Sequence, residues 1–330
     1  MNFKRKILLA SLILFCASSA DAQPETYLQP FSDRLIINPS FAGFNKNTNY
    51  HSGNQYYSVS SEKAYNLFYA SFDTYSDKLK GGYGLSFQHG LIAEQNTNLT
   101  KLGISFAGFE IKTANGRIVP SFSTKVALAG KQWFTYSLDM LFARNHSESS
   151  PPGKKFIRYF MLEPGTGFIW DTKNATWGLS ANLPLVYSLA TDNDENIKNP
   201  GQLPLSLTFY WAKKLSGNRN GLESSPFKAF PEIILFYNEA FILSRVSFNI
   251  EQIDKIYGFF LQNDFTNNIH CVGGTIGYHR NQYYLKLNAG VGIPGISDNM
   301  GATCELSLNI SIPPVHYSKI KPWAPKNKLD

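Results

Sequence analysis

Downstream of residue 22 the chain has no run of about 18 consecutive apolar residues, the minimum for a membrane-spanning helix, although 43% of its 330 residues are hydrophobic. Charge is scarce as well. Asp, Glu, Lys and Arg make up 17% of the chain, against roughly a quarter in typical soluble domains. No Gly-x-Ser-x-Gly elbow, phosphate-binding glycine loop or His-Glu-x-x-His pair occurs, so the legible signatures of acyl transfer, nucleotide binding and zinc hydrolysis are missing. The six histidines are scattered. The closest His/Cys pair, His270 and Cys271, occupies adjacent positions, which in a strand point to opposite faces and cannot easily share a metal. The expectation is a protein that is not an enzyme, with no cofactor, no metal and no catalytic residue.

What is present begins with an export signal. Lys4, Arg5 and Lys6 precede the apolar run Ile7 to Phe15, and Ala20-Asp21-Ala22 has the small-x-small form of a signal-peptidase site. Residues 1–22 are therefore read as a cleaved signal peptide. Cys16 does not suit lipobox cleavage, because bulky Phe15 precedes it. Removing Lys4, Arg5, Lys6 and Asp21 lowers the net charge of +7 by two. The remaining basic residues form no stripe, so nucleic acid is excluded as a partner.

Aromatic residues reach 15%, and from residue 48 they recur in alternating runs. Tyr83, Leu85 and Phe87 alternate with Gly82, Gly84, Ser86 and Gln88. Trp177, Leu179, Ala181 and Leu183 alternate with Gly178, Ser180 and Asn182. Leu306, Leu308, Ile310 and Ile312 alternate with Glu305, Ser307, Asn309 and Ser311. Successive side chains of a strand face opposite sides, so each run has one apolar and one polar face. Many runs reach ten or more residues, longer than typical soluble strands and sufficient to cross a bilayer when tilted. Lipid offers no partner to an unpaired backbone amide, so such strands must close into a barrel.

About fourteen strands are expected, near 48–59, 64–75, 81–92, 97–111, 115–129, 156–171, 174–189, 203–216, 228–239, 241–252, 255–266, 268–280, 281–293 and 302–312. The fold class is all-β: a transmembrane antiparallel β-barrel over 48–312, located in the cell outer membrane with lipid as its surroundings. Residues 131–144 are read as an excursion beyond the membrane. The long polar loops are 146–155, 191–202 and 217–227. Asp192 to Asn196 resembles the start of a calcium loop but lacks its glycine and distal glutamate. Cys271 and Cys304 fall on strands separated by another strand, too far apart for a disulfide. Glu110, Glu163, Glu232, Glu239, Glu251 and Glu305 lie in or near strands, where inward carboxylates suit a polar lumen.

Two segments flank the barrel. Residues 23–47 are a periplasmic handle, a plug or simply a turn launching the first strand. Pro39 fixes its own φ and biases Asn38 toward extended backbone, and Gly43 permits a sharp redirection. Residues 313–330 form a Pro- and Lys-rich periplasmic tail with Trp323, read as a docking peptide or a frayed end.

The segment Tyr27 to Gly43, with Asn38-Pro39-Ser40-Phe41-Ala42-Gly43 at its end, resembles the opening of the PorP/SprF family of Bacteroidota. Trp177-Gly178-Leu179-Ser180 is similar to that family's aromatic-x-Gly-Leu-Ser segment. Gly277-Tyr278 and the stretch from Gly301 to Leu308 resemble its closing strands, with Cys304 where the family often has His. The resemblance spans nearly the whole mature chain. It implies an outer-membrane barrel of fatty-acid-transporter-like shape, accessory to type IX protein secretion. It further implies partners among periplasmic and outer-membrane secretion components, and export or surface attachment of a large secreted gliding adhesin. Asn38, Pro39, Phe41, Ala42 and Gly43 would then be partner-binding or plug residues, and Trp323 a docking residue. The alternative is a channel or transporter for hydrophobic or small solutes.

Overall fold

The computed structural model describes residues 30–58, 64–92, 97–131, 158–188, 201–202, 205–213, 215–216, 227–238, 241–297 and 301–313. The segment expected to be a signal peptide (1–22), most of the three long polar loops, nearly all of the excursion expected over 131–144, and Trp323 lie outside them.

A short helix α1 (Arg34–Ile37) and two 3-10 turns (Pro39–Phe41 and Phe44–Lys46) precede the strands. The strands are β1 (Thr48–Ser58), β2 (Ala64–Ser76), β3 (Gly81–Ile92), β4 (Thr97–Ala107), β5 (Ile111–Thr113), β6 (Gly116–Lys131), β7 (Arg158–Thr172), β8 (Ala175–Asn182) and β9 (Leu185–Ser188). They continue with β10 (Gly201–Gln202), β11 (Ser206–Lys213), β12 (Leu215–Ser216), β13 (Phe227–Asn238), β14 (Phe241–Gln252), β15 (Lys255–Asp264), β16 (Ile269–Arg280), β17 (Tyr283–Gly292) and β18 (Ala302–Ile312). Every ladder between them is antiparallel. β1 pairs with both β2 and β18, from Thr48↔Ile312 to Ser58↔Ala302, so the sheet has no free edge there.

The short pieces are parts of longer wall strands. β9 carries β8's position onward against β7. β10, β11 and β12 together fill one position between β8–β9 and β13. β5 is a small arm hydrogen-bonded to the end of β6. The result is a closed barrel of fourteen strands. Gly201 and Gln202, read from sequence as loop, in fact pair with Val186 and Leu185.

The two faces sort as the alternation requires. On β4, β6 and β8, Leu102, Ile104, Phe122, Trp177 and Leu179 are exposed on the outer surface, while Lys101, Ser121, Ser123, Lys125 and Ser180 are buried. The outer face thus presents apolar side chains, and polar groups take the inner face, the reverse of a soluble barrel. Cys271 is buried and Cys304 exposed; both are free thiols.

The two ends differ. At the end where β1 begins and β18 finishes, the turns after β2, β5, β7, β14 and β16 are short, while the connection from β12 to β13 takes residues 217–226. The opposite end carries the connections between β6 and β7, between β9 and β10, and between β17 and β18. The first is called the terminus end below and the second the far end.

Candidate functional site

The segment from Pro30 to Asn47 does not lie beside the barrel. It runs within it, against inward-facing residues of strands on every side. Asn38, Pro39, Phe41, Ala42 and Gly43 are all buried, Asn38 completely.

Local chemistry shapes the segment first. Asp33 caps α1: its carboxylate accepts from the amides of Leu35 (3.0 Å) and Ile36 (3.3 Å), satisfying donors that a helix start leaves free. Burial pushes the Asp33 carboxyl up. His51 at 3.6 Å, the Ser71 hydroxyl and the Ile36 amide outweigh that effect and hold it below its ordinary value. Asn38 ends the helix and caps the next turn, accepting from the Ser40 amide at 2.9 Å, with Pro39 at the first position of that turn, where a missing N–H costs nothing. Gly43 follows with φ +59°, a left-handed conformation that costs glycine little.

Three apolar contacts then tie the segment to different parts of the wall. Leu35 and Ala42 pack with Ala107 and Val119 of β4 and β6. Ile36 packs with Leu67 and Tyr69 of β2. Phe31, Ile37 and Phe41 join Ile169, Tyr210, Ile234 and Phe236 of β7, β11 and β13. Phe41 meets Tyr210 edge-on at 5.1 Å, and Phe31 lies 5.6 Å from Phe236. Each large side chain buried this way contributes about 1.5–3 kcal/mol.

Hydrogen bonds fix the register between these contacts. Asn38 Nδ2 donates to the Phe168 carbonyl at 3.2 Å, and Ser180 Oγ donates to the Ile37 carbonyl at 3.0 Å. The hydroxyls of Ser40 and Ser121 share a bond of 2.6 Å. The Gly43 amide donates to Asp73 Oδ1 at 2.8 Å, and the Ser32 amide to Glu305 Oε1 at 3.0 Å. Wall glycines provide the room. A Cβ at Gly82 would collide with the Ala42 carbonyl oxygen, and one at Gly178 would stand 3.0 Å from Asn38 Nδ2.

The two sequence motifs therefore meet. Asn38 of the opening motif meets Gly178 of the Trp177–Ser180 motif, and Ile37 just before it accepts from Ser180. The closing motif contributes Glu305, fully buried, which also accepts from Tyr69 (2.9 Å), Asn288 (3.2 Å) and Arg245 (3.4 Å). Arg245 stacks over Phe260 (3.9 Å) and Phe31 (4.9 Å). Higher on the β4–β7 wall, Lys101 pairs with Glu163 at 2.6 Å beside Lys125. Glu110 is different: it lies near the rim, paired with Arg117.

Sequence reasoning did not single out Asp33, Ser40, Ser121 or Ser32. A signal existed for Asp33, an N-cap residue type directly before the apolar run Leu35-Ile36-Ile37. None existed for the serines, whose partners are remote in sequence. Among the described residues, no group of three or more His, Cys, Asp or Glu could hold a metal ion.

The family model described as "Type IX secretion system membrane protein PorP/SprF" matches residues 19–310. The chain belongs to the PorP/SprF family. It is an outer-membrane protein, and membership implies interaction with components of the type IX secretion system. Family and fold are both of non-enzymatic kinds. No curated protein matches the chain. Among solved structures, the CymD monoaromatic hydrocarbon channel aligns at TM-score 0.48 and 9% identity, over 84% of this chain and 91% of that one. The Pseudomonas putida toluene transporter TodX aligns at TM-score 0.45 and 10% identity, over 86% and 95%. CdiB from Acinetobacter baumannii aligns at TM-score 0.40 and 9% identity over 80% of this chain, which spans only 60% of CdiB.

Proposed function

We propose that this PorP/SprF barrel is a non-enzymatic accessory of type IX secretion that supports export or surface attachment of a large secreted adhesin, and that residues 30–47 are its plug. The supporting observation is the lodging of Phe31 to Gly43 against inner residues of β2, β4, β6, β7, β11 and β13. A solute channel needs an open path. A segment held by both apolar burial and hydrogen bonds occupies that path and makes the barrel suited to holding a protein partner.

The even strand number places both barrel ends of the chain on one side. Outer-membrane barrels carry short turns toward the periplasm and longer loops outside. On this reading the terminus end is periplasmic, where the family's secretion components act, and the far end is extracellular, where an adhesin would be held.

The test is affinity purification of the tagged protein from native outer membrane, alongside single-channel recording in planar bilayers. Recovery of a large secreted protein with negligible conductance supports the proposal. Recovery of no partner, with steady conductance from the intact chain, would favour a small-solute channel instead. Deleting residues 30–43 should raise conductance from near zero to that of an open barrel; an unchanged trace would refute the plug.

A further inference from the structure

We infer that the barrel holds a carboxylate-binding vestibule beside the inner segment, open at the terminus end, in which the Arg34 guanidinium and the Lys286 ammonium receive the ligand. The site rests on the lodged segment alone; the orientation proposed above adds only that its mouth faces the periplasm.

The inner segment does not fill the lumen evenly. Its apolar and hydrogen-bonded contacts fall mainly on β2, β4, β6, β7, β8 and β11, with Phe31 reaching Phe236 and Ser32 reaching Glu305. Asp33, Leu35, Ile36 and Ile37 are buried, yet Arg34 among them is exposed. A side chain inside a lined barrel is exposed only where water fills the space beside it.

The facing strands show where that space opens. On β13, Lys228 is exposed, Glu232 is half-buried, and Ile234 and Phe236 are buried. On β14, Glu251 is half-buried, while Ser247 and Arg245 are buried. On β16 and β17, His279, Tyr284 and Lys286 are half-buried, while Thr275 and Asn288 are buried. From the terminus end inward, each inner face thus passes from solvent to packed core. Arg245, stacked over Phe260 and Phe31, closes the space with Asn288 and Glu305. The result is a blind pocket with one mouth.

Two cations in it lack a partner. Among the described residues, neither Arg34 nor Lys286 forms a salt bridge or a side-chain hydrogen bond; the Arg34 guanidinium lies 5.7 Å from the Phe41 ring centre. Lys286 is within electrostatic reach of Arg34, Arg245, Glu232 and Glu305. The carboxylates nearby are engaged. Glu305 holds Arg245, Glu251 meets His279 at 2.7 Å, and Glu232 accepts from Ser247 at 3.5 Å. Arg34, Arg245 and Lys286 thus face Glu232 and Glu305 with one positive charge in excess. A single carboxylate cancels that excess, whereas a phosphate dianion would leave the pocket negative. The fork of guanidinium N–H donors matches the two oxygens of a carboxylate. Lys286 adds a point charge, and the low-dielectric walls strengthen both attractions relative to water.

The experiment treats the purified full chain, folded in detergent, with the arginine reagent phenylglyoxal and reads each peptide by mass spectrometry. Arg34 is expected to react and the buried Arg245 to stay unmodified. Acetate should protect Arg34, chloride at equal ionic strength should not, and Lys286→Met should raise the acetate concentration required by about tenfold. A tripeptide with a free C-terminal carboxylate, set against its amide, separates the sources. Protection by acetate and the acid tripeptide identifies a polypeptide end as ligand; protection by acetate alone identifies a small carboxylic acid.

An unreactive Arg34 overturns the vestibule. Labelling that acetate does not slow overturns the site, and equal protection by inorganic phosphate overturns its assignment to a carboxylate. Should Lys286→Met fail to give a heat-modifiable folded band, Lys286→Gln replaces it, and acetate protection of the wild type decides the site in either case.

Discussion

Asn38 and Gly178 meet inside the barrel: the Asn38 amide bonds the Phe168 carbonyl, and the missing side chain at 178 leaves the space that the amide fills. One residue comes from the segment before the first strand and the other from a strand midway round the wall. Their fit makes the lumen a packed interface between two parts of one chain.

Substituting Gly178→Val should displace the inner segment without unfolding the wall, since valine suits a strand and the tightest contact of its Cβ is with Asn38 Nδ2 at 3.0 Å, ahead of Tyr210 and Ile169 of the wall at 3.4 and 3.5 Å. The expected outcome is a folded, heat-modifiable barrel with conductance raised several-fold in planar bilayers. Leu179→Val, one residue away on the lipid face, should leave the trace unchanged.

Asp33→Ala removes the cap of α1 and the partner of His51, and should lower stability by about 0.5–2 kcal/mol, read as the urea midpoint in detergent. The sign of its pH dependence follows from the carboxyl being held below its ordinary 3.8. The stabilisation is complete above that value and is lost as pH falls through the lowered one. The gap between wild type and variant should therefore close only below about pH 3.8.

Glu305 accepts from Ser32, Tyr69, Arg245 and Asn288. Glu305→Gln removes the carboxylate hydrogen-bonded to the buried Arg245 guanidinium, leaving it only the more distant Glu232, and should cost about 3 kcal/mol. Tyr69→Phe removes one bond to the same carboxylate and should cost about 1.5 kcal/mol. The order of the two urea midpoints is the check; a larger loss for Tyr69→Phe would contradict this account of the cluster.

Leu102→Arg tests the outer face. Leu102 is exposed in the middle of β4, where an arginine facing hydrocarbon should cost about 2–4 kcal/mol in lipid vesicles. Leu79→Arg, equally exposed but in the turn between β2 and β3, should cost about 0–1 kcal/mol.

Much of the wall was legible from sequence because a strand's period is two and lipid punishes any lapse. Tyr83, Leu85 and Phe87 had to share a face, as did Gly82, Gly84 and Gln88, whatever their neighbours were. Closure was legible too, since an open edge in hydrocarbon is prohibitive. Periodicity names the face on which a residue lies, however, and says nothing of what occupies the space opposite it. That is why the residues from Asn38 to Gly43 could be read as handle, plug or launching turn with equal ease. The glycines at 82 and 178 looked like ordinary small residues of the polar face.

The linear order of residues by itself determined an exported, two-faced, closed β-wall, because those properties depend only on local alternation and on the dielectric outside. The tertiary structure alone decided that Ser32 meets Glu305, that Ser40 meets Ser121 and that Asn38 fills the gap at Gly178. Those encounters depend on how far strands are staggered around the ring, a quantity set by the cooperative closure of all fourteen and carried by no single stretch of sequence.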